Sequence, residues 1–153
     1  MISNQKASAR ALMTFSGVWV GLVIIFALSF LELFPSPVWM RIALACIIGL
    51  AALFFYLGGY HYLQLEVKDN KELMVRYYNL FPVGRKFRAF KIPLQQFHHY
   101  ELKNGAGGAT TWLTLFQKMK GGVAKYPPVG FSAIDRATRK EIIDFLSALE
   151  RRN

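Results

Sequence analysis

The chain has 153 residues, 54% of them hydrophobic and 15% aromatic, yet it carries 19 Lys+Arg against 9 Asp+Glu for a formal net charge of +10. That length is about one domain, which excludes a multidomain enzyme. So large an apolar share excludes a disordered chain and an ordinary soluble domain, leaving a small, basic membrane protein in which apolar and charged residues are segregated.

The segregation follows the chain. After the N-terminal segment 1–11, which holds Lys6 and Arg10, the only charges before residue 61 are Glu32 and Arg41. Two apolar blocks occupy this stretch, Leu12 to Phe34 and Met40 to Tyr60. As helices they are roughly 34 and 31 Å long, enough to cross a hydrocarbon core of about 30 Å. Pro35 and Pro37 remove backbone donors and push their preceding residues out of helix, so a turn is expected between the blocks and a transmembrane hairpin over 12–60. A cleaved signal peptide is the rival reading of the first block, but its apolar run is long for one and a second span follows directly.

Lys6, Arg10, Lys68, Lys71 and Arg76 flank one side of the hairpin, whereas Arg41 alone edges the short turn. The positive-inside bias therefore places both termini in the cytoplasm. Trp39, Tyr56, Tyr60 and Tyr62 suit interfacial belts, and Glu32 and Arg41 lie close enough to water to act as interface anchors. Small residues recur as a GxxxG step at Gly17 and Gly21 and an AxxxG step at Ala45 and Gly49. Such steps let helices approach closely in lipid, here by packing the two spans together or, alternatively, by homodimerisation. Cys46 is the only cysteine and reads as a packing residue in mid-span.

Residues 61–153 carry 16 Lys+Arg against 8 Asp+Glu and change to an alternating pattern with frequent turn residues, the mark of antiparallel strands. Strands are expected over Tyr62 to Lys68 and Glu72 to Asn79, joined by Asp69-Asn70-Lys71. Beyond a turn at Pro82-Val83-Gly84, others are expected over Lys86 to Ile92 and Gln95 to Lys103, divided at Pro93. The glycine-rich loop Asn104 to Gly108 leads to a strand over Thr110 to Lys118, and Val123 to Phe131 supplies one or two more, broken at Pro127-Pro128. A capping box at Thr138 and Glu141 then opens a helix over about 138–151, with an apolar stripe of Ile142, Ile143, Leu146 and Leu149 beside Phe145.

The motifs Tyr62-Leu-Gln-Leu-Glu66, Lys91-Ile-Pro-Leu-Gln-Gln-Phe97, Thr111-Trp-Leu-Thr-Leu115 and Phe131-Ser-Ala-Ile-Asp135, followed by Glu141 to Leu146, stand in the order of strands, corner and closing helix. Over roughly residues 41–150 the chain resembles membrane-tethered bacterial pleckstrin-homology-like (PH-like) domain proteins. The resemblance implies an α+β membrane protein of the bacterial inner membrane, with a cytoplasmic antiparallel barrel or sandwich closed by a C-terminal helix. It also implies a non-catalytic module for contact with a partner or a lipid, and it supplies no functional residues.

The densest basic segment is Arg85 to Lys91, where Arg85, Lys86, Arg88 and Lys91 interleave with Phe87 and Phe90. Read as a strand, it places Arg85, Phe87, Ala89 and Lys91 on one face and Lys86, Arg88 and Phe90 on the other. It suits anionic headgroups or an acidic partner, at about 1 kcal/mol per basic residue near a membrane surface, or serves as a solvated edge that discourages aggregation. Two spans already anchor the chain, so orientation or recruitment is its expected task. Nucleic acid is not expected as a partner, because the charge forms no recognised motif. His98 and His99 are adjacent and on a regular strand point to opposite faces, so no metal site is expected; no cofactor, catalytic pair or hydrolase triad can be assembled from spacing. The expected function is a non-enzymatic, membrane-anchored binding or accessory module. The alternative is a regulatory subunit of a membrane enzyme, transporter or secretion complex, held through the hairpin.

Overall fold

The computed structural model describes residues 1–31, 36–83, 85–105 and 108–152. Glu32 and Pro35 of the expected first turn, Gly84 of the next and Ala106 and Gly107 of the glycine-rich loop lie outside the described residues. Among the described residues the architecture is α+β, with three α-helices, two of them long and apolar, and antiparallel sheets.

Helix α1 runs Gln5–Leu28 and α2 Val38–Leu57. Both are long and apolar enough to cross a membrane, at roughly 36 and 30 Å from the helical rise. The first begins at Gln5 rather than Leu12, and residues Ile2–Ser3 before it form strand β1. Its polar opening turns are helical because they pack on the rest of the molecule: Ser8 is buried, and Ala11 and Phe15 pack against Phe55, Leu80 and Ala133. The Phe15 and Phe55 rings stack 3.9 Å apart. Helix ends and β domain thus share an apolar cluster.

Along α2 the less exposed positions recur at Arg41, Leu44, Ile48, Ala51 and Phe55. This alternation of three and four is the spacing of helices packed side by side. Cys46 lies off that seam and is exposed rather than packed. Near the turn, Arg41 donates from Nε to Ser36 Oγ (3.3 Å) and sits 4.8 Å from the Phe30 ring, while Ser36 Oγ donates to the Ser29 carbonyl.

The first sheet has the order β1-β2-β3-β4, with β2 His61–Lys68, β3 Glu72–Asn79 and β4 Arg88–Pro93. Strands β2 and β3 pair from His61↔Asn79 to Lys68↔Glu72. Their turn has Asp69 and Asn70 both at positive φ, 52° and 53°, the left-handed pair that short polar side chains tolerate best. The second sheet holds β5 Phe97–Gly105, β6 Thr110–Met119 and β7 Gly122–Lys125 in that order, with β8 Val129–Gly130 on the same edge of β6 as β7, opposite β5. Among the described residues the sheets do not join, so the barrel expected as one option is not closed. The chain leaves β4 at Pro93, which has no N–H to carry a ladder onward, and passes through a single 3-10 turn, Leu94–Gln96, into the other sheet.

Alternate residues of both sheets meet in one core: Leu63, Leu65, Leu73, Val75 and Ile92 from the first, and Phe97, Leu113, Leu115 and Val129 from the second. Helix α3, Arg136–Glu150, covers this core with Ile142, Leu146 and Leu149, and a Tyr100–Ser147 hydroxyl pair (2.9 Å) ties it to β5. Its N-cap is Asp135, whose carboxylate accepts from the Thr138 amide at 3.2 Å, so the capping box expected at Thr138 and Glu141 is displaced by one turn. Asp and Thr both suit an N-cap, and here the extended chain leaving Ala133 brings Asp135 to that position first.

Candidate functional site

The basic segment splits when folded. Only its second half is strand, since the β4 ladder begins at Tyr77↔Arg88, so Arg85, Lys86 and Phe87 precede it and have no strand face at all. Within the strand, Arg88 and Phe90 share the inner face with Tyr77 and Val75, while Lys91 points outward opposite Met74. Lys91 also lies about 10 Å further along the strand than Arg88, at some 3.3 Å per residue, and its ammonium is held by Glu72 at 3.4 Å. Arg85, Lys86 and Arg88 have no ion pair among the described residues; Lys86 and Arg88 line one cleft, while Arg85 turns to the other side, against the first turns of α1.

Lys86 and Arg88 stand beside the C-terminal end of α2 because the chain that follows β3 is clamped there. Asn79 donates from Nδ2 to the Tyr56 carbonyl (2.9 Å) and accepts the Phe81 amide on Oδ1 (2.8 Å), and the Leu80 amide donates to the Tyr60 carbonyl (2.9 Å). The Phe81 ring meets Tyr56 edge to face at 5.4 Å. Arg85 bends back toward the Phe81 and Leu80 carbonyls, 3.4 Å from each. Beyond the clamp, Val83 and Phe87 are 74% and 78% exposed. So much apolar surface between unpaired cations is unusual for a face bathed only in water.

A cleft of about 450 Å³ opens between this segment, the last turn of α2 and the edge of the second sheet. Lys86, Arg88, Asn79, Trp112 and His61 line it, and among the described residues no acidic side chain does. His61 is packed between the rings of Tyr77 and Trp112, 5.9 and 5.8 Å away, and its Nδ1 is buried without a hydrogen bond of good geometry. Gly130 permits that placement, since a Cβ there would come within 2.0 Å of Nδ1 and 2.1 Å of the Gly59 carbonyl oxygen. Gly59 itself adopts φ +71°, with Trp112 against it.

Burial holds the His61 pKa below its ordinary 6.5, and the Arg88 charge adds to the effect against an opposing backbone contact with Gly59. The unfolded chain protonates this histidine near 6.5 while the folded one resists to lower pH, so stability present above 6.5 is lost as pH falls toward the folded value. Thermal unfolding at a series of pH values is expected to show a decline below about 6.5 that is shallower in His61→Gln.

The small-residue steps are not where the helices touch. A Cβ on Gly17, Gly21 or Gly49 would meet nothing within 4 Å, and Ala45 is exposed, so these positions face outward. His98 and His99 also differ from expectation: a register irregularity between Phe97 and Tyr100 brings their rings to 4.8 Å, edge to face, and His99 stacks on Phe116 at 4.2 Å. Among the described residues no three His, Cys, Asp or Glu side chains gather as for a metal. Asn79, Trp112 and His61 belong to no local motif; their role comes from contacts with residues distant in sequence, which no local pattern encodes. No protein-family model, curated protein or solved structure matches the chain.

Proposed function

We propose that this protein is a non-enzymatic, membrane-anchored binding module of a bacterial inner membrane. In this reading α1 and α2 cross the bilayer as a hairpin and both termini lie in the cytoplasm. The β domain, a PH-like arrangement of two antiparallel sheets and a closing helix, engages anionic headgroups through Arg85, Lys86 and Arg88. The observation that carries it is the clamp of Asn79 and Phe81 on Tyr56, which holds Lys86, Arg88 and the exposed Val83 beside the end of α2, with Arg85 against the start of α1 and the exposed Phe87 between them in the chain. A segment of that composition favours the headgroup layer, with apolar tips inserted and cations beside lipid phosphates. Three cations supply about 3 kcal/mol before screening, enough to orient a domain already anchored by two spans.

The test uses the full chain in nanodiscs of zwitterionic lipid with and without anionic lipid. Backbone hydrogen exchange across residues 80–88 is expected to slow in the anionic discs, and the Arg85→Gln, Lys86→Gln, Arg88→Gln triple variant to lose most of that difference, up to roughly a hundredfold at low salt. Equal exchange in both discs refutes the lipid reading.

A second reading, an accessory subunit held in a larger membrane assembly through the hairpin, is favoured by the outward-facing Gly17, Gly21 and Gly49. Gly17→Leu with Gly49→Leu is then expected to abolish copurification of a stoichiometric membrane partner in mild detergent while leaving the headgroup contact intact.

A further inference from the structure

We propose that the cleft between the 79–88 segment, the end of α2 and β6 is a binding site for the phosphate of a single anionic phospholipid headgroup, held between Lys86 and Arg88 above the aromatic floor of Trp112. The inference rests on the membrane-anchored reading and adds to it a discrete, saturable site in place of diffuse attraction to a charged surface.

Three features distinguish a built site from a charged patch. The first is convergence. Lys86 comes from the loop and Arg88 from the start of β4, yet both line one concavity, and neither has an acidic partner among the described residues. Two unpaired cations facing one space repel each other, a cost that an anion removes. The second is the wall chemistry. Asn79 adds an amide whose position is set by its bonds to Tyr56 and Phe81, while Leu57, Val83 and Pro128 line the same cleft with apolar surface suited to the glycerol and upper acyl carbons. At about 450 Å³ the cleft is in the range of small-molecule sites, and a few placed polar groups over apolar walls is their usual composition.

The third feature is location. The cleft opens beside Tyr56 and Leu57, the last turn of α2, where a headgroup of the adjoining leaflet reaches it without leaving the bilayer. A soluble acidic peptide would have to enter between the domain and the membrane surface. His61 forms part of the floor with its Nδ1 shut against Gly130. It serves as a shape-defining group there, and the cations carry the recognition.

The test uses the full chain in mild zwitterionic detergent, carrying Trp19→Phe and Trp39→Phe so that Trp112 alone reports. Dihexanoyl phosphatidylglycerol is titrated below its micelle concentration, with inorganic phosphate and dihexanoyl phosphatidylcholine in parallel. The expected result is a saturable change in Trp112 emission with phosphatidylglycerol only. Arg88→Gln and Lys86→Gln are each expected to weaken it about tenfold, as hydrogen bonds to charged groups do. Arg76→Gln, whose side chain bonds Glu66 on the outer face of the first sheet, leaves it unchanged. Both cleft cations are exposed, so their variants do not endanger the fold. A response that does not saturate, that is matched by inorganic phosphate or phosphatidylcholine, or that survives both cleft substitutions overturns the site. If the site fails while anionic nanodiscs still slow exchange over residues 80–88, the electrostatic reading stands without it; if both fail, the lipid reading falls as a whole.

Discussion

Phe97→Ala is expected to lower the unfolding free energy of the β domain by about 3–5 kcal/mol, the range for deleting a fully buried phenyl group. Phe97 is 1% exposed and opens β5 directly after the corner at Pro93–Gln96, where the chain passes from one sheet to the other. Its ring fills the core that both sheets and α3 share, so an alanine leaves a cavity that neither sheet can close without moving the corner. Domains of this size hold only about 5–15 kcal/mol in all. Urea unfolding followed by Trp112 emission checks this, read as a lower midpoint at unchanged slope. Phe87→Ala is the internal control, because a ring 78% exposed contributes little to the fold. A loss at Phe87 as large as at Phe97 would contradict this account of the core.

Asn4→Ala is expected to cost about 2–4 kcal/mol, although residue 4 lies in a short polar segment that no local pattern marks as structural. Its side chain is 1% exposed and completes the sheet where β1 ends: Oδ1 accepts the Leu63 amide at 2.8 Å and Nδ2 donates to the His61 carbonyl at 3.0 Å. The Asn4 amide donates to the Leu63 carbonyl as well, at 3.2 Å. Alanine leaves two backbone groups of β2 unpaired in a site that water does not reach, and each such group costs about 1–3 kcal/mol. Asn4→Asp is expected to be no better, because it keeps the acceptor for Leu63 but sets a carboxylate against the His61 carbonyl. Hydrogen exchange at the Leu63 amide reports the loss directly, and an unchanged rate in Asn4→Ala would refute the role. Since Asn4 immediately precedes α1, the same bonds fix where that helix leaves the domain.

Most of the secondary structure was legible in the sequence. The Glu72–Asn79 strand, the two short strands around Pro127-Pro128 and the stripe of α3 follow from period-two and helical spacing together with proline, glycine and Asp-Asn at the turns. The candidate site was half legible. Arg85, Lys86 and Arg88 were visible as charge density, but Lys91 belonged to the same run by sequence and to a Glu72 ion pair by structure.

By itself the sequence determined two long apolar helices, a series of antiparallel strands and one amphipathic helix, because each depends on residues within a few positions of one another. The tertiary structure alone decided what those elements do together. Asn4 meets β2 across nearly sixty residues, His61 is enclosed by Gly130 and Trp112, Asn79 bolts the basic loop to Tyr56, and Gly17, Gly21 and Gly49 face away from the seam between α1 and α2. The reason is physical: periodicity says which face of an element is apolar, whereas register and the order of the sheets decide which distant residues fill the space beside it.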